Sequence, residues 1–343
     1  MRNRAAGGLA VILSTIVVAV VQAAPKDDVV TLRNGDRITC EVTALRRGLL
    51  EASTDDLGTI QIEWDKIASI TTTRVFQVET VLGARHYGPL GPSDSGHVAV
   101  LTTTGTIRLD LVDVVRLAQI EEGFWRRIDG SLSAGGSYTK SSGVGQFSFS
   151  SEFQVRQPAS EWRAGFDATK TVQQSQPDSG RYSGQFTYTR LLRNRWGLPS
   201  FGLVESNRDL GYDLRSTAGG GIGRNLVQTN RTLLQVAGGL SVNREEPVDA
   251  PSVTNVEALA TVRYSFFTYD FPKTEVLLQG KLFPSLSNTG RVRVGIDSKV
   301  RRAIITNDLY IAINVFDEYD NRPPTGGAQS NDVGMTFSVG WRF

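Results

Sequence analysis

The sequence predicts an all-β protein in which a transmembrane antiparallel up-and-down β-barrel of about 12 strands follows a small duplicated β-rich domain. Three observations support this fold class. The last eleven residues alternate between apolar and polar side chains, similar segments recur about every 18 residues from residue 124 onward, and two alike segments occur within residues 24–120. A period of two indicates a strand with one apolar and one polar face.

The first residues predict a signal peptide, residues 1–23. Basic residues precede an apolar run from Gly8 to Val21, and Ala23 completes a small-residue cleavage motif. We place the cut after Ala23, because a cut after Ala24 would leave Pro25 first in the mature chain. The alternative is an uncleaved anchor, but the run is shorter than the ~20 residues of a spanning helix. The chain is therefore predicted to be exported.

Charge and cysteine content argue against two classes of protein. The formal net charge of +2 falls to 0 without Arg2 and Arg4, so no overall positive field favours nucleic acid as a partner. Cys40 is the only cysteine, so no intrachain disulfide can form, although an exported protein would be free to use one. Because Ile38, Cys40 and Val42 alternate with polar residues, Cys40 is predicted to face the core of its domain.

Residues 24–120 are predicted to form a periplasmic β-rich domain with two similar repeats. The segment Leu57–Trp64 resembles Thr104–Leu111, with glycines 47 positions apart, and Gly35 has a weaker counterpart at Gly83. A repeat of this period indicates a duplicated structural unit. Turns of the Asn-Gly and Thr-Gly type separate short alternating runs, which is typical of hairpins. The layout resembles SH3-like or Sm-like small barrels, modules that often bind peptides or glycans, although fold alone does not establish function.

Residues 124–343 are predicted to form the barrel. Twelve strand-sized units begin near Ile128, Gln146, Trp162, Arg181, Leu198, Asp213, Arg231, Val253, Thr274, Arg291, Asp308 and Asp332. The number is even, as in bacterial single-chain barrels, and each unit has the ~9–11 residues of a tilted membrane-spanning strand. Alternation alone does not separate such a barrel from a soluble sandwich, whose apolar faces would meet a second sheet.

Connection lengths give one further test. With both barrel ends in the periplasm, odd-numbered connections are extracellular and longer. Three odd connections are long, namely Gln173–Arg181, Asn243–Val253 and Asp317–Asn331, and two even ones are short, namely Gln157–Glu161 and Ile305–Asp308. Two other even connections, Arg190–Pro199 and Arg224–Arg231, look longer and argue against the pattern.

Aromatic and glycine residues add two expectations. Trp125, Trp162, Trp196 and Trp341 all fall at one end of the predicted barrel, as a periplasmic aromatic girdle at the membrane interface would. The runs Gly219–Gly221 and Gly238–Gly239 fit closely curved strands or positions where bulky lumen side chains need room. A flexible linker is the alternative for the first run, but the alternation continues through it.

The C-terminal strand carries a family resemblance. Its outward residues Phe337, Val339 and Trp341, together with the terminal Phe343, resemble the signal that barrel-assembly machinery reads. With the signal peptide, Gly-rich strands and clustered aromatics, residues 334–343 resemble the salt-induced outer-membrane proteins (YdiY-like), a β-barrel family of unknown function. The resemblance covers about two-thirds of the chain, and the repeated front domain is an addition to it. It implies the outer membrane of a Gram-negative cell, with the N-terminal domain in the periplasm.

The residue inventory predicts no enzyme and no cofactor. His86 and His97 are the only histidines and both precede the barrel, which excludes Ser–His or His–Asp catalysis within it. A metal site formed by both histidines with Asp94 lacks an obvious further ligand, so turn and surface histidines are the preferred interpretation. Calcium binding at Asp317–Asp320 matches no EF-type spacing, and a solvated acidic loop is preferred there.

The predicted polar faces supply candidate lumen charges. These are Glu152, Arg156, Arg163, Asp167, Glu257, Arg263, Lys281, Arg293, Asp297, Lys299 and Arg342. Since both signs occur, we expect internal ion pairs and a plugged or very narrow lumen, with an open channel as the alternative.

The predicted function is a non-enzymatic envelope role, either structural or as a narrow channel. The expected partners are outer-membrane lipid, the assembly machinery and, through the N-terminal domain, peptidoglycan or a periplasmic protein. The alternatives are a histidine-free outer-membrane hydrolase that uses carboxylates and a soluble periplasmic β-rich binding protein.

Overall fold

A computed structural model describes residues 26–120, 128–139, 144–173, 179–306, 308–324 and 329–342. The predicted signal peptide, Trp125 and Phe343 lie outside these residues. In the described ranges no helix has the length and apolarity needed to cross a bilayer.

Residues 26–120, called the module below, are built from short strands. These are β1 (Asp28–Leu32), β2 (Arg37–Arg46), β3 (Leu49–Ser53), β4 (Thr59–Glu63), β5 (Ile67–Thr71), β6 (Phe76–Thr80), β7 (Arg85–Gly88), β8 (Leu90–Gly91), β9 (His97–Thr102), β10 (Gly105–Asp110) and β11 (Val114–Gln119). An eight-stranded sheet runs in the order β4-β3-β2-β11-β6-β7, with β1 joined to β2 and to β5, and β10-β9-β8 form a second sheet.

The two similar segments of the module take equivalent places. In each half a hairpin leads into a single 3-10 turn, Trp64–Lys66 or Leu111–Asp113, and then into the last strand of that half. The Trp64 indole N–H donates a 2.6 Å hydrogen bond to the Leu111 carbonyl, which lies 47 positions further on, so the halves meet at matching turns. The strand β11 pairs with both β2 and β6 and so joins the two halves in one sheet.

Cys40 lies in the hydrophobic core of the module, fully buried. Burial, assisted by the negative charge of Asp28, raises the pKa of the thiol to about 11. Because the thiolate is the reactive form, this cysteine is a packing residue and not a reactive centre.

The rest of the chain forms one closed barrel. Its strands are β12 (Ile128–Thr139), β13 (Val144–Arg156), β14 (Ser160–Gln173), β15 (Ser179–Leu191), β16 (Trp196–Asn207), β17 (Tyr212–Gln228), β18 (Thr232–Pro247), β19 (Val253–Phe267), β20 (Thr274–Pro284), β21 (Val292–Ala303), β22 (Leu309–Asp320) and β23 (Asn331–Arg342). Each strand pairs with the next, and β23 pairs antiparallel with β12 to close the ring. The predicted fold class is confirmed, and every predicted strand start lies within two residues of the observed one.

The predicted strand lengths were too short. The barrel strands span 11 to 17 residues, and β17 and β18 are the longest. At ~3.3 Å per residue and a tilt of ~45°, a 17-residue strand rises about 40 Å and so extends beyond the hydrocarbon layer. The even connections that looked long are therefore short turns, residues 192–195 and 229–231. The alternation also continues to Asp320, so Asp317–Asp320 ends a strand and is not an acidic loop.

The two faces of the barrel wall differ in chemistry. On β23 the apolar residues point outward and remain exposed, with Phe337 60% and Met335 52% accessible, and Thr336 between them is buried inside. Apolar exposure along every strand would be unfavourable in water. A single closed layer that turns its apolar side chains outward is incompatible with two stacked sheets, which would bury them.

Glycines permit the close approach of β17 and β18. A Cβ on Gly221 would lie 2.1 Å from the carbonyl oxygen of Gly238, and one on Gly239 would lie 2.1 Å from that of Gly220. Since the clashing atoms belong to backbone, a side chain there would push the paired strands apart. The interpretation as closely curved strand therefore fits these positions, and the first run belongs to a strand rather than a linker.

We expect Gly221→Val to prevent most of the chain from reaching the folded barrel, because the valine cannot fit between the two backbones. The matched control is Gly202→Val on β16, since a Cβ there meets no atom within 4 Å. The folded fraction can be measured by heat-modifiable migration after refolding in detergent. Equal folding of both variants would contradict the packing argument.

Candidate functional site: the lumen and its proximal mouth

The module sits on one end of the barrel. We call this end the proximal mouth, because there the chain enters β12 and leaves β23. The even-numbered turns 157–159, 192–195, 229–231 and 268–273, with residues 304–306 and Asp308, form its rim. Hydrogen bonds join the module to four of these turns: the carbonyls of Pro158 and Leu192 accept from module side chains, and the side chains of Asn230 and Lys273 donate to the module. The module therefore covers the opening instead of extending away from it.

One arm of the module is the tip of the β2–β3 hairpin. Arg47 and Gly48 have φ values of 51° and 71°, the conformation of a tight hairpin turn with both central residues left-handed. The Arg47 guanidinium lies 2.9 Å from the carboxylate of Glu275 at the start of β20. Gly48 packs against Tyr269 so closely that a Cβ would lie 2.2 Å from its ring. Only glycine fits there, and the tip is held inside the mouth.

The second arm is Glu79 on β6. Its carboxylate accepts hydrogen bonds from Arg156 at 2.6 Å and from Gln228 at 3.1 Å, so it joins two separate parts of the barrel rim. Burial alone would raise the pKa of Glu79, but the positive charge of Arg156 outweighs it and holds the pKa below its usual range. The ion pairs Arg47–Glu275 and Glu79–Arg156 are called the latch below.

The latch is expected to weaken in acid. Because the pKa of Glu79 is lowered in the folded state, its stabilising contribution is complete above the ordinary glutamate pKa of about 4.3 and is lost as the pH falls through the lower folded value. The protection factors of the backbone amides of residues 76–80, which are corrected for the intrinsic pH dependence of exchange, should therefore fall below about pH 4. In Glu79→Gln these protection factors should already be low at pH 7 and should not fall further in acid. Wild-type protection factors that stay constant down to pH 3 would contradict the assignment.

Ion pairs line the proximal half of the lumen. The carboxylate of Glu152 receives Lys299 at 2.9 Å and Arg301 at 2.6 Å. Glu275 receives Arg301 and Arg342 in addition to Arg47. Glutamates in this half thus each serve two or three cations.

A denser network of ion pairs lies in the far half of the lumen. Arg291 is bound to Glu245 at 2.8 Å and to Asp320, and Arg215 binds the same two carboxylates. All four side chains are at most 5% exposed. Arg215 on β17 and Asp320 on β22 stand five strands apart around the ring, so their pairing crosses the lumen. Removing one partner of such a buried pair typically costs about 3–5 kcal/mol, because it leaves the other charge buried and uncompensated.

Comparison with known proteins identifies the barrel. The family model described as a protein of unknown function, DUF481, matches residues 133–343. The chain belongs to this family. The family resemblance drawn from the sequence is thereby confirmed, and the family match covers nearly all of the closed twelve-stranded barrel.

Three solved structures show a distant similarity to this DUF481 chain. The NanC porin has 9% identity and a TM-score of 0.39 and matches 63% of this chain and 98% of its own. A bacterial polysaccharide outer-membrane secretin has 8% identity and a TM-score of 0.35, with 63% and 98% covered. The β-domain of the Bordetella autotransporter BrkA has 10% identity and a TM-score of 0.31, with 63% and 97% covered. No curated protein matches the chain significantly.

The structure places the candidate lumen charges of the DUF481 barrel on its inner face. Ten of them line the internal cavity, and Glu257 lies behind it, fully buried on Arg293 at 2.7 Å. Most are brought into ion pairs. Arg263, Lys281 and Asp297 have no ion pair with any residue in the described ranges.

Several inward charges were missed by the sequence reasoning. On the barrel strands they include Arg181, Arg215, Glu245, Glu275, Arg301 and Glu318. The same alternation that identified their neighbours marks them, and most of them, such as Arg215 and Glu275, lie within the predicted strand units. By contrast, Arg47 and Glu79 carry no such signal, because their role depends on how the module docks.

The members of the predicted aromatic girdle that the structure describes lie at the proximal mouth. Trp162, Trp196 and Trp341 all stand on the outer face near the rim, between 39% and 49% exposed. Trp162 packs edge-on against Tyr188 with ring centroids 4.7 Å apart. Phe337 and Val339 of the predicted assembly signal also face outward.

Protein partners hold His97 and Asp94, and also Glu318 and Asp320 of the acidic segment. Asp94 pairs with Arg108 at 2.7 Å, and the His97 ring lies 3.1 Å from Asp110. Glu318 and Asp320 point into the lumen toward arginines. Within the described ranges no group of three or more His, Cys, Asp or Glu residues could hold a metal ion.

A cavity of about 340 Å³ lies inside the barrel between the module and the far network. Part of its wall consists of Gly221, Gly223 and Ala237 on β17 and β18. Because these residues have small or no side chains, the space beside them stays empty, whereas larger inward side chains fill the lumen along other strands. The cavity is called the chamber below.

Proposed function

We propose that this protein is a non-enzymatic outer-membrane protein whose narrow channel is closed by its own N-terminal module. The observation that carries this proposal is the latch, because two mostly buried ion pairs hold the module inside the proximal mouth. A purely structural barrel has no need of a chamber with charged walls behind a removable cover. Release of the module would expose that chamber.

The proximal mouth is assigned to the periplasm. In outer-membrane barrels the periplasmic turns are short and the extracellular loops longer. Turns 157–159 and 229–231 of the proximal rim have three residues, and the far connection between β22 and β23 has ten. The outward tryptophans at the proximal rim fit a membrane interface on that side. The module then lies in the periplasm, where peptidoglycan or an envelope protein could bind it and release the latch.

The two alternatives fit less well. A hydrolase that relies on a pair of lumen carboxylates fits poorly, because Glu152, Glu161, Glu245 and Glu275 are each bound by two or more cations, and Asp297 is left without an ion pair among the described residues. A soluble periplasmic protein would not carry an apolar outer face on every barrel strand. Both alternatives therefore leave a main feature of the barrel without a role.

Location and orientation can be tested in cells. We expect the protein in the outer-membrane fraction, released only by detergent, with heat-modifiable migration. A tag inserted at residues 248–252, between β18 and β19, should be labelled on intact cells, and the module should be reached only after the outer membrane is permeabilised. Recovery from the soluble periplasm would refute the proposal, and surface labelling of the module would reverse the orientation.

Conduction can be tested in planar bilayers. The wild-type protein is expected to be silent or to open rarely, and release of the latch should give discrete steps. Silence of both wild-type and latch-released protein, with the barrel folded, would leave a structural role in place of a channel.

A further inference from the structure

We infer that the chamber binds a small organic anion, one that bears a carboxylate or phosphate group, between Arg163 and Arg263. This inference rests on the proposed function and names the class of solute that the channel would take. A volume of about 340 Å³ falls in the range of small-molecule sites, roughly 300–1,000 Å³.

The chamber wall carries an excess of positive charge. Among the described residues, fourteen arginine and lysine side chains line it against nine carboxylates. Further carboxylates stand behind the wall, but they are shared, since Glu275 alone serves three cations. Fixed charge of one sign in a low-dielectric cavity raises the local concentration of the opposite ion.

Arg163 and Arg263 provide the specific binding geometry. The two terminal nitrogens of Arg163 on β14 lie 3.4 Å from the side-chain oxygen of Gln235 on β18. Gln235 is the register partner of Arg263 on the neighbouring strand β19, so Arg163 reaches across the lumen to the glutamine that stands beside Arg263. The pair therefore spans a gap between strands that are not neighbours.

Both arginines keep donors unused. Arg163 shares the carboxylate of Glu161 with Arg156, and its Nε is buried without an acceptor. Arg263 has no ion pair with the described residues, and its cross-strand partners Gln235 and Gln279 are neutral amides. Planar guanidinium groups bind carboxylate and phosphate through paired hydrogen bonds, which an uncharged solute cannot match.

The test is isothermal titration of the full chain, refolded in detergent, with D-glucuronate, inorganic phosphate and D-glucose. The neutral sugar has a similar ring but lacks the carboxylate. Titrations use both wild-type protein and the latch variant Arg47→Gln/Glu79→Gln, so that a closed mouth cannot hide binding. We expect glucuronate and phosphate to bind and glucose not to bind.

Variants locate the site. Arg263→Gln is expected to weaken glucuronate binding at least about tenfold, because a neutral amide cannot pair with the carboxylate. The matched control is Arg302→Gln, since Arg302 is an exposed arginine on neighbouring wall outside the lumen. The inference is overturned if glucuronate and glucose bind with equal affinity, or if both variants lose affinity for glucuronate to the same extent.

The outcomes separate the inference from the channel proposal. If the barrel conducts without any preference for anions, the channel proposal stands and the anion site is refuted. If anions bind in a way that depends on Arg263 but the barrel never conducts, the anion site stands and the channel proposal is refuted.

Discussion

The latch variant Arg47→Gln/Glu79→Gln is expected to convert a silent barrel into a conducting one. Each substitution removes one partner of a mostly buried ion pair between the module and the barrel. Such truncations cost about 2–5 kcal/mol, and the lower figure applies here because Arg156 and Glu275 keep other partners. Together they amount to about 4 kcal/mol, or roughly a thousandfold shift toward the released module.

The module itself should remain folded in this variant. Arg47 lies at a hairpin tip and Glu79 contacts the barrel, and neither belongs to the hydrophobic core cluster of the module. Hydrogen exchange should therefore accelerate only where the module meets the rim, and Cys40 should stay protected from alkylation. Single-channel recording in planar bilayers then measures the frequency of opening.

The matched control is Asp65→Asn at the same interface. Asp65 forms a 3.8 Å pair with Arg231 in which both side chains are about half exposed. Exposed pairs contribute between zero and about 1 kcal/mol, so this variant should behave as wild type. If the latch variant releases its module and stays silent, and adding Arg291→Gln to loosen the far network changes nothing, the barrel is not a channel.

The sequence predicts the barrel well because its signal is local. A strand that separates lipid from a polar lumen must alternate apolar and polar side chains. Each strand is therefore visible in the sequence, and its start can be predicted from that pattern. The inward-facing residues could be predicted as well. Arg293 and Lys299, for example, lie an even number of positions apart on β21, so both point to the same face of the strand. The ends of the strands could not be predicted in the same way, because a strand that extends beyond the membrane keeps its alternation in water.

The arrangement across the lumen was beyond reach of the sequence. Which arginine meets which carboxylate depends on the shear of the closed sheet, and pairs such as Arg181–Glu318 are 137 positions apart. Docking of the module depends on the shape of the rim as well as on charge. Arg47 therefore resembles any residue of a hairpin turn until its partner Glu275 is seen beside it.

Deletion of residues 341–343 is expected to abolish barrel formation. The seam between β12 and β23 that closes the ring has four paired positions, and Trp341 and Arg342 supply two of them, opposite Leu132 and Ser131. The neighbouring β22–β23 pairing has eleven. In hydrocarbon each unpaired backbone group costs several kcal/mol, so a seam of half its length cannot hold the edges together.

Two readouts separate the seam from the predicted assembly signal. Refolding in detergent needs no cellular machinery, so failure of the truncated chain there reports loss of the seam. Trp341→Phe keeps the backbone pairing and an aromatic ring, and it should refold and insert at close to wild-type levels. If the truncated chain refolds normally in detergent but is missing from the membrane, these residues act as a signal alone. If it also reaches the membrane at normal levels, closure of the ring does not depend on them, because the remaining pairs Ser133–Gly340 and Ala134–Val339 would then suffice.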